Sequence, residues 1–292
     1  MNPKDNETSR ASGNAPVDPV ALDHVIRLIC LDIDGTLLDS KGELQNSTRT
    51  ILKRAYYEGM NIALATGRNL DSTLPIVTAL EIPVAIISSG GAHIRTIDGR
   101  SIETALNPEE ALEIIKIGLG NGSGLLIDYP GHSWVLGAGK YISMYSHVTH
   151  GTPIATIPDP LNPSPLKISL INEKPILDQI RTVIIKLYPG LQMASPFETV
   201  VDITPHNINK GNALRTLAGI MNIPLLQTAA IGDSENDLSN FEASGLAVAM
   251  GNASPEVREA ADWLAPSNDH DGAGWAVERI LEWNKKINQR SQ

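Results

Sequence analysis

The chain has 292 residues, enough for two domains, and 42% of them are hydrophobic, enough to build proper cores. A net charge of −10 and an aromatic content of 4% argue against nucleic-acid binding, which asks for basic patches and stacking rings. No apolar run approaches a membrane span, and the single cysteine, Cys30, excludes an intrachain disulfide and fits a reducing compartment.

Residues 1–22 are polar and hold no apolar signal-like stretch, so a disordered tail and a cytoplasmic protein are expected. Residues 25–31, Val-Ile-Arg-Leu-Ile-Cys-Leu, read as a buried parallel strand. That strand runs straight into Asp32-Ile33-Asp34-Gly35-Thr36. Two carboxylates at the carboxyl end of a central strand sit where open α/β sheets bind ligands. They are costly there unless a cation joins them. A helix is expected next, capped by Asn46 or Ser47 and stopped near Gly59. Residues 61–66 read as a second strand, ending in Thr66-Gly67-Arg68, with a helix starting at Asp71-Ser72. Residues 84–88 read as a third strand, followed by Ser89-Gly90-Gly91-Ala92 and a hairpin turning at Asp98-Gly99.

From about residue 105 the pattern changes. A helix over 108–119 leads into a glycine-rich stretch at 118–124. Strands are expected around 125–127, 166–171 and 191–194, with a helix over about 175–187 and a proline-rich loop between 151 and 165. Residues 199–203 are expected to resume the first domain as a strand. A helix then opens at Lys210, after Asn209. Residues 229–231 form another apolar run, ending in Gly232-Asp233-Ser234-Glu235-Asn236-Asp237. A helix with Leu238 and Phe241 and a strand over 245–250 follow, the strand ending in Gly251-Asn252-Ala253. Strands alternating with helices predict an α/β fold with a doubly wound, mostly parallel sheet.

Asp32/Asp34, Thr66, Lys210 and Asp233/Asp237, in that order, resemble the four motifs of the haloacid dehalogenase superfamily of phosphohydrolases. The chain most resembles the Cof-type branch, whose cap is inserted between the second and third motifs. The resemblance covers about residues 25–282. It implies a Rossmann-like core over 23–104 and 199–292, and an α/β cap over 105–198 that governs substrate choice. It also implies a nucleophile at Asp32, a general acid/base at Asp34, and phosphate binding by Thr66, Gly67 and Lys210. Mg²⁺ would be held by Asp32, Asp233 and the main-chain carbonyl of Asp34, with Asn236 and Asp237 in support. Two departures stand out: Gly90 replaces a usual Asn, and Asn207 replaces a usual Gly before Lys210.

The chemistry suits these residue types independently. A phosphate monoester is an anion, so a carboxylate nucleophile needs its charge masked by a hard cation and a lysine. The expected function is Mg²⁺-dependent hydrolysis of small phosphorylated metabolites, sugar phosphates first, through an aspartyl-phosphate. The alternatives are a phosphosugar mutase and a non-catalytic binding protein. Arg68 is a further candidate for the phosphate. His93 is a candidate for substrate contact near the cap hinge. Asp128, His132, Trp134, Tyr141 and Lys167 are candidates for the cap's wall, each weighed against plain packing. His147 and His150 have helical spacing, but no third metal ligand accompanies them.

Overall fold

The computed structural model describes residues 24–137, 152–154, 156–157 and 161–290. Tyr141, His147 and His150 lie outside the described residues. The first part runs β1 (Leu28–Leu31), α1 (Asn46–Tyr57), β2 (Asn61–Ala65), α2 (Leu70–Leu80), β3 (Ala85–Ser88), β4 (His93–Arg95) and β5 (Ser101–Glu103). The middle runs α3 (Pro108–Gly120), β6 (Gly124–Tyr129), β7 (His132–Leu136), β8 (Thr152–Pro153), β9 (Lys167–Ile171), α4 (Lys174–Leu187), β10 (Gln192–Phe197) and β11 (Val200–Thr204). The last part runs α5 (Lys210–Ile220), β12 (Thr228–Gly232), α6 (Leu238–Ala243), β13 (Leu246–Ala249), α7 (Pro255–Glu259), β14 (Trp263–Leu264) and α8 (Gly272–Arg290).

Two sheets result. The first has the order β14-β13-β12-β1-β2-β3-β4-β5, parallel from β14 through β3 and antiparallel at β4 and β5. Every residue of β1 is buried, because alternate side chains feed a core on each face. Ile29 and Leu31 pack with Leu52 and Ala55 of α1 and Val277 and Ile280 of α8. Leu28 and Cys30 pack with Ala213, Leu214 and Leu217 of α5. This sandwich fixes β1 at the centre, between β12 and β2.

The second sheet has the order β10-β11-β9-β6-β7-β8 and is antiparallel except for the β7–β8 pair. One face is covered by α3 and α4. Ile114, Ile115, Ile180 and Ile184 from these helices pack on Leu125, Ile127, Ile168 and Leu170 from the strands. The period of two then turns Leu126, Lys167, Ser169, Ile171, Val200 and Asp202 to the opposite face.

Three expectations are corrected here. Residues 200–204 do not resume the first sheet: β11 pairs antiparallel with β9, Val201 opposite Leu170 and Asp202 opposite Ser169. The cap sheet therefore runs past residue 198. Neither Asn46 nor Ser47 caps α1. Gln45 stands at that position without a side-chain cap, since its amide donates to the Asn268 carbonyl instead. Helix α2 is capped by Asn69, whose side chain accepts from the Ser72 amide, rather than starting at Asp71. Among the described residues no helix is long and apolar enough to cross a membrane.

Candidate functional site

Neighbouring parallel strands β12, β1 and β2 end side by side, and each carries a polar residue just past its last apolar one. Asp32 continues the β1 ladder through its amide, which donates to the Ile231 carbonyl at 2.9 Å. Thr66 does the same from β2, donating to Ile87 at 2.8 Å. Asp233 follows Gly232, the last residue of β12. Gly35 lets Asp233 approach this turn. Its φ is +79°, and a Cβ there would fall 2.3 Å from Asp233 Oδ2.

Lys210 enters from the first turn of α5. Asn209 caps that helix through the Asn212 amide, and Asn207 just before it has φ +60°, a conformation Asn tolerates in place of Gly. The ammonium of Lys210 is 1% exposed. It donates to Asp32 Oδ1 at 2.6 Å, Asp237 Oδ1 at 2.7 Å and Asn236 Oδ1 at 2.9 Å. Burial works against its charge, but Asp237 and Asp32 outweigh burial and raise its pKa. The other oxygen of Asp237 accepts from the amides of Asp233 and Ser234, both at 3.1 Å. Asp237 thus braces the turn that carries Asp233. Thr36 donates to Asp233 Oδ1 at 3.0 Å, and Asn252 donates to its Oδ2 at 3.1 Å.

Carboxylate oxygens of Asp32, Asp233 and Asp237 lie within 4.8 Å of one another. Burial drives the carboxyl of Asp32 well above the usual range despite Lys210, with Asp237 and Asp233 adding to the rise. Burial, with Asp237, pushes Asp233 up to about 7. A site built only of oxygen donors, with surplus negative charge that burial penalises, fits a hard divalent cation. Asp32 and Asp233 are the members suited to hold one, because both oxygens of Asp237 already accept from Lys210 and the two amides.

The Asp34 carboxylate is 42% exposed and is clasped by Arg68, Nε to Oδ2 at 2.7 Å and Nη2 to Oδ1 at 2.5 Å. Burial disfavours the Arg68 charge, but this pairing outweighs it and raises the guanidinium pKa. Arg68 also donates its amide to Thr66 Oγ1 at 3.0 Å. Gly90, at φ +68°, donates its amide to the Thr66 carbonyl at 3.1 Å, so the glycine there leaves the turn held.

Over these residues lies a cavity of about 370 Å³, floored by Asp32, Asp34, Thr66, Gly67, Arg68 and Asp233 and roofed by the free face of the second sheet. Of the cap candidates, Lys167 lines it, and Asp128 sits buried 3.4 Å behind Lys167. His132 and Trp134 instead pack on Tyr129 and do not line the cavity. His93 is a buried structural residue between Ser88 Oγ at 2.9 Å and Ser101 Oγ at 3.1 Å. Asn252 and Thr36 were not among the expected site residues. Their signal is position: Asn252 follows the end of β13, beside β12, and Thr36 follows Gly35.

A family model described as haloacid dehalogenase-like hydrolase matches residues 29–277. The 5-amino-6-(5-phospho-D-ribitylamino)uracil phosphatase YwtE of Bacillus subtilis is 26% identical over 283 residues, covering 88% of this chain and 98% of that protein. The phosphoglycolate phosphatase of Methanothermobacter thermautotrophicus is 29% identical over 263 residues, covering 88% of this chain and all of the relative. In the solved structure of the subclass IIB sugar phosphatase BT4131 the fold recurs with a TM-score of 0.78 at 20% identity, over 87% of this chain and 98% of that one. A match over most of the length, with phosphatases among the full-length relatives, makes this chain a phosphoric monoester hydrolase of the haloacid dehalogenase superfamily, in its Cof-type branch.

Proposed function

We propose that the protein is a Mg²⁺-dependent phosphatase of small phosphorylated metabolites, sugar phosphates first among them, acting through a phosphoryl group on Asp32. The observation that carries this reading is the placement of Asp32. It stands at the end of the central strand, on the floor of the cavity, with Lys210 on one of its oxygens and Asp233 beside it. Mg²⁺ held by Asp32, Asp233 and the Asp34 carbonyl would mask the charges of nucleophile and phosphate.

The chain's own groups do the rest. Lys210 fixes the Asp32 carboxylate, which attacks phosphorus and forms an acyl phosphate. Thr66 and the Gly67 segment bind phosphoryl oxygens as charge shifts among them. Asp34 protonates the leaving oxygen, then takes a proton from the water that hydrolyses the acyl phosphate. Such general acid–base help is worth about 10²–10⁴-fold. Arg68 clasps Asp34 through both oxygens and so orients it on the cavity floor. The cap sheet closes the cavity and limits water. The division into a core over 23–104 and 199–292 and a cap over 105–198 is modified in this proposal only at β11, which belongs with the cap sheet.

The relatives support the reaction class, and their different substrate names leave the leaving group open. A phosphate-release assay across phosphorylated metabolites with Mg²⁺ tests the proposal. Release of inorganic phosphate is expected, rather than an isomerised sugar phosphate as a mutase would give. Acid-quenched turnover of ³²P-labelled substrate should leave label on Asp32, and Asp32→Asn should lose both label and turnover while staying folded. Turnover by Asp32→Asn near the wild-type rate would rule out the covalent route.

A further inference from the structure

The cavity's roof is built in two halves of different chemistry. Nearest Gly67 stand Lys167, Ser169 and Asp202, and beyond them Leu126, Ile171 and Val200 form an apolar patch. Lys167 is 3% exposed, and its ammonium is fully engaged. It donates to the Gly67 carbonyl at 2.5 Å and to Asp202 Oδ2 at 3.3 Å, and it lies 3.4 Å from Asp128 Oδ2. Burial opposes its charge, but Asp202 and Asp128 outweigh burial and keep it an ammonium. Asp202 also accepts from Ser169, and Asp128 accepts from Ser133 and Ser89.

Among the described residues lining the cavity, Arg68 and Lys167 are the cations, and each is already paired with carboxylate. Against them stand Asp32, Asp34, Asp202 and Asp233 on the same walls. Even with a divalent cation bound, the described lining residues offer no spare positive charge to a second anionic group. A carboxylate or second phosphate on the leaving group would meet acids and an apolar patch, and like-charge contact of this kind is strongly unfavourable. Hydroxyl donors, by contrast, find Asp202 and Ser169, and a carbon face finds Leu126, Ile171 and Val200.

We infer that the cap wall selects phosphomonoesters whose leaving group is uncharged, with hydroxyls on one side and an apolar face on the other, and rejects leaving groups that carry a second anion. Asp202 and the apolar trio are the specificity-determining residues. This rests on the phosphatase reading above and narrows its substrate class.

Matched pairs test it: glucose 6-phosphate against 6-phosphogluconate, and fructose 6-phosphate against fructose 1,6-bisphosphate, each with Mg²⁺. The member of each pair with the uncharged leaving group should have the higher kcat/KM, by about 100-fold. Asp202→Asn should shrink that ratio, and Phe197→Arg, at a half-exposed residue of the same wall, should raise kcat/KM for the bisphosphate. Equal or greater activity on the anionic member of both pairs, unchanged by either variant, would overturn the inference. Calorimetric binding of the same four ligands to Asp32→Asn protein with Mg²⁺ reads the preference without turnover. Wild-type inactivity on every ester would refute the phosphatase reading alone, and equal binding of both members would refute this one alone.

Discussion

Lys210→Met removes the ammonium at the centre of the site and keeps the apolar stem. The ammonium makes two charge-assisted bonds to carboxylates and one bond to an amide oxygen. Charge-assisted hydrogen bonds contribute about 1.5–3 kcal/mol each. Desolvation of the buried ammonium takes part of that back. What remains after the substitution is two buried carboxylates facing each other with no cation between them, and breaking a buried pair in this way costs about 3–5 kcal/mol. We therefore expect Lys210→Met to lose about 3–5 kcal/mol in urea unfolding near neutral pH, with EDTA present so that no cation compensates. Adding Asp237→Asn should return about 1–2 kcal/mol, because the repulsion falls while an oxygen remains for the amides of Asp233 and Ser234. A loss under about 1 kcal/mol, with no coupling between the two substitutions, would refute the reasoning. It would mean that the carboxyls relieve themselves by taking up protons or water, and that the ion pairs contribute nothing net.

Chelation should abolish phosphate release and added Mg²⁺ should restore it, while Ca²⁺ should inhibit through its looser, higher coordination. Asp233→Ala should raise the Mg²⁺ concentration for half-maximal activity sharply; an unchanged titration would remove Asp233 from the metal site. Gly35→Ala should raise the same midpoint by about tenfold or more, because its Cβ would displace a carboxylate the metal needs. The positive φ adds strain of about 1–2 kcal/mol, readable as a lower unfolding midpoint. Cys30 should resist Ellman's reagent in the native protein and react fully after unfolding. It is wholly buried, and burial pushes its thiol up to about 12.

The residues that floor the candidate site are legible in the sequence because their signals are local. Asp32, Thr66 and Asp233 each stand at the abrupt end of an apolar run, and Lys210 follows a capping Asn. A chain that must stop being apolar at the edge of a buried sheet marks its own functional edge. The roof was not readable in the same way. Val200-Val201-Asp202-Ile203-Thr204 has the β-branched residues of a strand, and composition does not say which sheet it joins. One signal was present: Asp202 breaks the apolar run, as suits an antiparallel strand with one face toward a polar cavity rather than a strand buried on both faces.

Pairing across the roof lay further out of reach. Lys167 is neutralised by Asp128 on β6 and Asp202 on β11, and its third partner is the Gly67 carbonyl of the core. Read along the chain, Lys167 is a candidate for the cap's wall with no partner named. Folded, it is a cation already spent between two acids. The partners that neutralise it come from the register of β6, β9 and β11. That register places Asp128 directly opposite Lys167 and Asp202 opposite Ser169. A one-residue slip would turn all four side chains to the helix-covered face, where Ile127, Ile168, Leu170 and Val201 now pack. The apolar packing of α3 and α4 therefore fixes which charges meet above Asp32, and through them the charge preference proposed for the cavity.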